Sequence, residues 1–165
     1  MKTRLNIGAV SPAAYRAMLG LEKFIHESSI EPKLAHLLKM RASQINGCAY
    51  CLDMHSKDAR ASGETEQRLY GLDAWREAPY YNDRERAALE WIESLTLVTD
   101  GHVPDEVYDR ARKQFSEREL VELAIVAVAI NGWNRLAIAF RSEAGTYQPQ
   151  PHAQQRPTTS PDERR

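Results

Sequence analysis

The chain has 165 residues, with 22 Lys and Arg against 23 Asp and Glu, a net charge of −1 at pH 7 and 42% hydrophobic residues. That length favours one domain with a core of its own, and the balanced charge excludes a global pull toward nucleic acid or anionic membrane. No charge-free apolar run is long enough to span a bilayer, and Met1-Lys2-Thr3-Arg4-Leu5-Asn6 leads into no apolar leader segment, so a cytoplasmic chain with neither nucleic-acid nor membrane partners is expected.

The apolar spacing is helical nearly throughout. Ser11-Pro12 reads as an N-cap with proline at the first helical position, opening a helix through about His26 that carries Tyr15, Met18, Leu19 and Leu21. Glu31-Pro32 opens a second, with Leu34, Leu37, Leu38 and Arg41 at helical intervals, and Gly47 punctuates it. A third helix carries Cys48 to about Ser62 and stops at Gly63. Thr65 begins a short helix, and a loop holding Pro79-Tyr80-Tyr81-Asn82 follows. Asp83 is expected to cap the next helix, with Ala87, Ala88, Leu89, Trp91, Ile92 and Leu95 on its apolar face. Pro104 starts another short helix through about Phe115. Ser116 with Glu119 three residues on forms a capping box before a long apolar helix to about Arg141. No stretch alternates at period two, so the class is all-α.

The last of these helices is apolar almost all round: Val126, Val128, Ile130, Trp133, Leu136, Ile138 and Phe140 cannot share one stripe. Such a helix is central to the fold or shared with another subunit, and a homo-oligomer is expected. After Gly145 the sequence turns rich in Pro, Gln and charge, which divides the chain into a helical domain, 1–145, and a tail, 146–165, too polar to order itself.

The chemistry-bearing feature is Cys48-Ala49-Tyr50-Cys51 followed by His55; these are the two cysteines of the chain. Positions i, i+3 and i+7 fall on one stripe of a helix. Two thiols that close can cycle between dithiol and disulfide, and an imidazole one turn beyond the second can take a proton. The start of a helix favours an anion at its first turn, which lowers a thiol pKa there. The spacing does not order the roles of the two sulfurs. Two bland readings stand beside this one. Cysteines can be small buried hydrophobes, and Cys48, Cys51, His55 and His36 are a possible structural zinc set, although zinc CxxC pairs usually sit on a knuckle turn. Asn131 and Asn134, polar groups in the most apolar helix, are expected to satisfy buried partners. No Gly-rich phosphate loop is present, and no metal, flavin or nicotinamide cofactor is expected.

The run Arg41-Ala42-Ser43-Gln44-Ile45-Asn46-Gly47-Cys48-Ala49-Tyr50-Cys51 with His55 resembles the carboxymuconolactone decarboxylase superfamily, and within it the alkylhydroperoxidase D-like branch. Asp53 to Ala59, Gly63 to Glu66, Trp75 to Tyr80 and Ile130 to Arg135 extend the resemblance over most of residues 10–142. The resemblance implies a compact all-α domain assembling into trimers or hexamers. It implies that Cys51 attacks a hydroperoxide, that Cys48 resolves the sulfenic acid to a disulfide, and that His55 belongs to a proton relay. An external dithiol would then reduce the disulfide. Where relatives carry a glutamate twelve residues before the first cysteine, this chain has His36, which can accept and pass a proton. The expected activity is a thiol-dependent hydroperoxidase or disulfide reductase of peroxiredoxin type; the alternative is a non-enzymatic redox sensor or binding module sharing the same cysteines.

Overall fold

A computed structural model describes residues 2–149, and its secondary structure over them is entirely helical. The order is α1 (Ile7–Val10), α2 (Pro12–Glu27), α3 (Pro32–Asn46), α4 (Ala49–Ala61), α5 (Glu66–Tyr70), a 3₁₀ turn (Gly71–Ala74), α6 (Asp83–Thr96), α7 (Asp105–Gln114) and α8 (Glu117–Phe140). The all-α expectation holds.

Most boundaries follow from local chemistry. Pro12 and Pro32 occupy the first turns of α2 and α3, where a missing N–H costs nothing. Ser116 and Glu119 close the predicted capping box on α8. Several starts differ from the sequence reading. The single turn α1 was not anticipated; the Asn6 side chain caps it by accepting from Ala9 N–H at 3.0 Å. Asn82, not Asp83, caps α6, because Asn82 stays extended and accepts from Glu85 N–H while Glu85 reaches back to Asn82 N–H. Pro104 sits just outside α7 as its N-cap rather than inside it.

α3 and α4 form an antiparallel hairpin whose turn is Gly47. Its φ of 67° is left-handed, a conformation an L-residue adopts only with strain. Leu37, Leu38 and Ala42 of α3 are fully buried, and α3 packs against α4, α6 and α8. α8 is the spine of the domain. It packs against α2, α3, α4, α6 and α7, and buries Leu123, Val126 and Ile130 completely. By length and composition alone this 24-residue helix is apolar enough to cross a membrane. Yet it also buries Glu122 and Asn134, so one side is built to meet protein polar groups. Asn134 donates to Ser43 Oγ (3.0 Å) and accepts from Asn46 Nδ2 (2.8 Å); Asn131 accepts from the same Asn46 amide (3.0 Å) and donates to Thr96 Oγ1 (3.1 Å). The two asparagines therefore tie α8 to α3 and α6, as the sequence suggests. Val121 and Val128 remain outward on α8, 63% and 57% exposed, seven residues apart on one stripe.

A second buried polar cluster lies on the other flank of α3. Glu93 of α6 accepts from Arg41 Nε (2.6 Å) and Trp75 Nε1 (2.8 Å) at one oxygen and pairs with Arg76 (2.6 Å) at the other. Residues 146–149, which their composition assigns to a disordered tail, run back over α4, where Lys57 and Asp58 supply partners. Lys57 Nζ donates to the Gly145 and Tyr147 carbonyls, and Tyr147 donates its hydroxyl to Asp58 Oδ1 at 2.7 Å. The rest of that tail, from residue 150, lies outside the described residues.

Candidate active site

Gly47 reverses the chain and leaves Cys48 extended at the N-cap of α4, with Cys51 and His55 following on one face of that helix. Both cysteines are free thiols, each 1% exposed, with sulfurs 2.7 Å apart. His55 is 4% exposed. The i, i+3, i+7 stripe read from the sequence is thus realised, with the first member at the cap rather than inside the helix.

The two sulfurs are not equivalent. The hydrogen bond from Cys51 lowers the Cys48 pKa to about 7 against the opposing effect of burial, and the Cys51 and Tyr50 backbone N–H groups and the Asn134 side chain act in the same direction. The Cys51 pKa is raised, first because its proton is engaged by Cys48 and then by burial. Of the two, Cys48 is therefore the easier to deprotonate and Cys51 the one that keeps its proton. Access runs the other way. Cys51 lines a cavity of about 640 Å³ and Cys48 does not. The cavity lies among α2, α3, α4 and Trp133 of α8; its walls are mainly apolar, with Tyr15, Leu19, Ile25 and Met54 among them.

His36 of α3 and His55 of α4 also line this cavity, with ring centroids 6.4 Å apart. Burial holds the His55 pKa well below its ordinary 6.5, and Lys39 and His36 push it further down, so the ring is neutral. Both ring nitrogens of His55 are buried without a hydrogen-bond partner among the described residues. The nearest carboxylate oxygen, Asp58 Oδ2, is 3.9 Å from Nδ1, too far for a hydrogen bond. Lys39, itself buried, pairs with Glu22 of α2, whose other oxygen accepts from Trp133 Nε1 at 3.0 Å.

The structure thus brings Cys51, His55 and His36 to one cavity and keeps Cys48 behind Cys51. The donor atoms of His36, His55 and Asp58 lie within 4.8 Å of one another, a set that could hold a cation; it differs from the zinc set weighed from the sequence, since neither cysteine belongs to it. Sequence reasoning missed Asp58, Lys39, Glu22 and Tyr147. Asp58 carried a usable signal: it lies three residues beyond His55, on the same helical face, and eleven residues after Gly47, as His36 lies eleven before it. Residues equidistant from the turn of a helical hairpin sit at one level. Tyr147 carried none, because its contact crosses from the far end of the chain.

Residues 12–94 match the carboxymuconolactone decarboxylase family. The uncharacterized protein YdfG of Bacillus subtilis is 43% identical over 146 residues, covering 88% of this chain and 99% of its own. A protein of unknown function from Agrobacterium tumefaciens, ATU0492, described as a candidate antioxidant defence protein AhpD, superposes with a TM-score of 0.85 at 41% identity, covering 88% of this chain and all of its own. The debrominase Bmp8 in its apo form shares the fold alone, with a TM-score of 0.72 at 24% identity over 84% of this chain and 74% of its own. The chain belongs to the carboxymuconolactone decarboxylase family. Within that superfamily it falls in the alkylhydroperoxidase D-like branch, the branch its CxxC pair indicates.

Proposed function

We propose that the protein is a thiol-dependent hydroperoxidase that cycles Cys48 and Cys51 between dithiol and disulfide, with an external dithiol as reductant. The observation that carries this reading is the disposition of the pair: two free thiols 2.7 Å apart, one facing an apolar cavity beside a neutral buried imidazole. The pair loses its first proton to His55, and His36 at the cavity wall passes it onward. Movement of the remaining proton from Cys51 to Cys48 puts the thiolate on the sulfur that faces the cavity. Cys51 then attacks the terminal oxygen of a hydroperoxide. The S–O bond forms as the O–O bond breaks, and the alkoxide leaves as alcohol with a proton from the relay, giving Cys51 sulfenic acid. Cys48 sulfur then attacks that sulfur; the S–S bond forms, and the sulfenic oxygen departs as water carrying the proton that Cys48 had taken. A dithiol returns two electrons by thiol–disulfide exchange.

The apolar walls favour an organic hydroperoxide over hydrogen peroxide, since an alkyl chain gains burial there. The test is steady-state turnover of cumene hydroperoxide and hydrogen peroxide with dithiothreitol as reductant. Sustained consumption, with a larger kcat/KM for the organic peroxide, supports the reading. A single oxidation per chain with no turnover would instead support a redox sensor. In the same proposal the chain works as a homo-oligomer, a trimer or hexamer, that covers the outward stripe of α8. Sedimentation should give a multiple of the chain mass, and Val128→Asp should reduce it to the monomer's.

A further inference from the structure

A buried base must find a counter-charge once it is protonated. His55 is 4% exposed, so water cannot screen an imidazolium there. The groups packed about it do not supply one evenly. From α3 come Lys39 and His36, both of which disfavour a positive ring. From α2 comes Glu22, but its charge is already matched by Lys39 and one oxygen is taken by Trp133. On α4 itself, Asp53 is paired with Lys57. Asp58 remains. It forms no ion pair with a lysine or arginine among the described residues, and its Oδ2 lies 3.9 Å from His55 Nδ1. Its other oxygen accepts the hydroxyl of Tyr147 at 2.7 Å.

Tyr147 is held from behind. Lys57 Nζ donates to its carbonyl at 2.9 Å, and Gly145 N–H donates to Asp53 Oδ2 at 3.0 Å, so the segment after α8 is fastened to the same helix that carries His55. Burial first, and then the Asp58 carboxylate, raise the Tyr147 pKa, so the phenol stays a donor. A phenol fixed on one carboxylate oxygen directs the other, as outer-shell partners orient the groups that do chemistry.

We propose that Asp58 is the carboxylate that stabilises protonated His55 during deprotonation of the cysteine pair, and that Tyr147, reaching back from beyond α8, is the positioning residue that keeps Asp58 aimed at it. This rests on the thiol-based reading above. Within it, Asp58 supplies the negative charge that His36 does not, and the C-terminal segment becomes part of the active site.

The experiment follows the reduced protein, with reductant removed and without peroxide, reacting with iodoacetamide from pH 5.5 to 10, the first alkylation being counted by intact mass. Asp58→Asn should slow that event about 10- to 100-fold near pH 7, the scale of an impaired general base, and converge on wild type near pH 10 where hydroxide removes the proton. Tyr147→Phe should shift the profile in the same direction by a smaller factor, and Asp58→Glu should recover part of the loss. Superimposable profiles for wild type and Asp58→Asn would overturn the proposal. So would a deficit that persists undiminished at pH 10, which would mark Asp58 as a structural residue only. Because peroxide is absent, the assay separates the two readings: a wild type that alkylates as described but turns over no peroxide leaves the relay standing and removes the hydroperoxidase.

Discussion

α3 divides two buried polar clusters that are built on opposite terms. On one flank, both carboxylate oxygens of Glu93 are used, by Arg41, Trp75 and Arg76. On the other, both nitrogens of His55 are buried without a hydrogen-bond partner among the described residues. Buried polar groups in folded proteins are normally satisfied, because an unmet donor or acceptor costs about 1–3 kcal/mol. The first cluster obeys that rule and fixes α3 against α6. The second leaves the imidazole open beside a cavity and two thiols, and under the proposed function that openness leaves its nitrogens available for proton transfer. The difference teaches what to test at these two clusters: the closed one should answer in stability and the open one, under the proposed function, in activity.

The largest effect that could break this comparison belongs to the thiols. Cys51→Ser should abolish peroxide consumption, whereas Cys48→Ser should permit one oxidation per chain, trapped as sulfenic acid or mixed disulfide; equal turnover in both variants removes the mechanism. Next, His55→Gln should lower kcat/KM by about 10²- to 10⁴-fold, the span expected for loss of general-base catalysis.

His55 should also show itself in stability against pH. Its folded pKa lies below the unfolded value of 6.5, so below that pH the unfolded chain binds a proton the folded one refuses. Its contribution is intact above pH 6.5 and is lost as pH falls toward the lowered folded value. Urea midpoints measured from pH 7.5 to 5 should therefore fall more steeply for wild type than for His55→Gln.

The closed cluster should behave oppositely. Glu93→Ala leaves Arg41 Nε and the Trp75 N–H without their partner, although Arg41 Nη1 keeps Asp73 and Gln44, and should cost about 3–5 kcal/mol, the range for breaking a buried pair, while the folded fraction keeps wild-type kcat/KM. A Glu93 variant of normal stability, or one whose folded molecules are inactive, would erase the distinction between the clusters. The smallest effect concerns His36. His36→Ala should lower turnover about 10- to 100-fold if the ring passes protons, and His36→Glu should keep it, since a carboxylate also accepts a proton. Steady-state rates across pH for the three proteins decide whether His36 acts or only packs beside His55.

Much of this was legible in the sequence because the information is local. Helical spacing, Ser11-Pro12, Glu31-Pro32, Gly47 and the Ser116–Glu119 box mark elements from a few neighbouring residues, and Cys48, Cys51 and His55 share a stripe by spacing alone. What was not legible depends on tertiary contact. Whether Asn82 or Asp83 caps α6 turns on which backbone stays extended. The unequal thiols depend on which sulfur donates to the other and on their burial, neither of which the spacing reveals. Lys39 and Glu22 look like solvated charges until the fold brings them into an ion pair. Tyr147 lies in a stretch whose composition promises no structure, and only its contact with Asp58 places it at the site.

The most direct test of the account is the thiol inventory of the protein before, during and after exposure to an organic hydroperoxide, read by trapping free thiols and weighing the intact chain. One equivalent of peroxide should remove both thiols together as a single Cys48–Cys51 disulfide, dithiothreitol should restore both, and the cycle should repeat for many equivalents. Thiols that remain fully trappable in excess peroxide, or an oxidised state that dithiothreitol cannot return to a reactive pair, would contradict it.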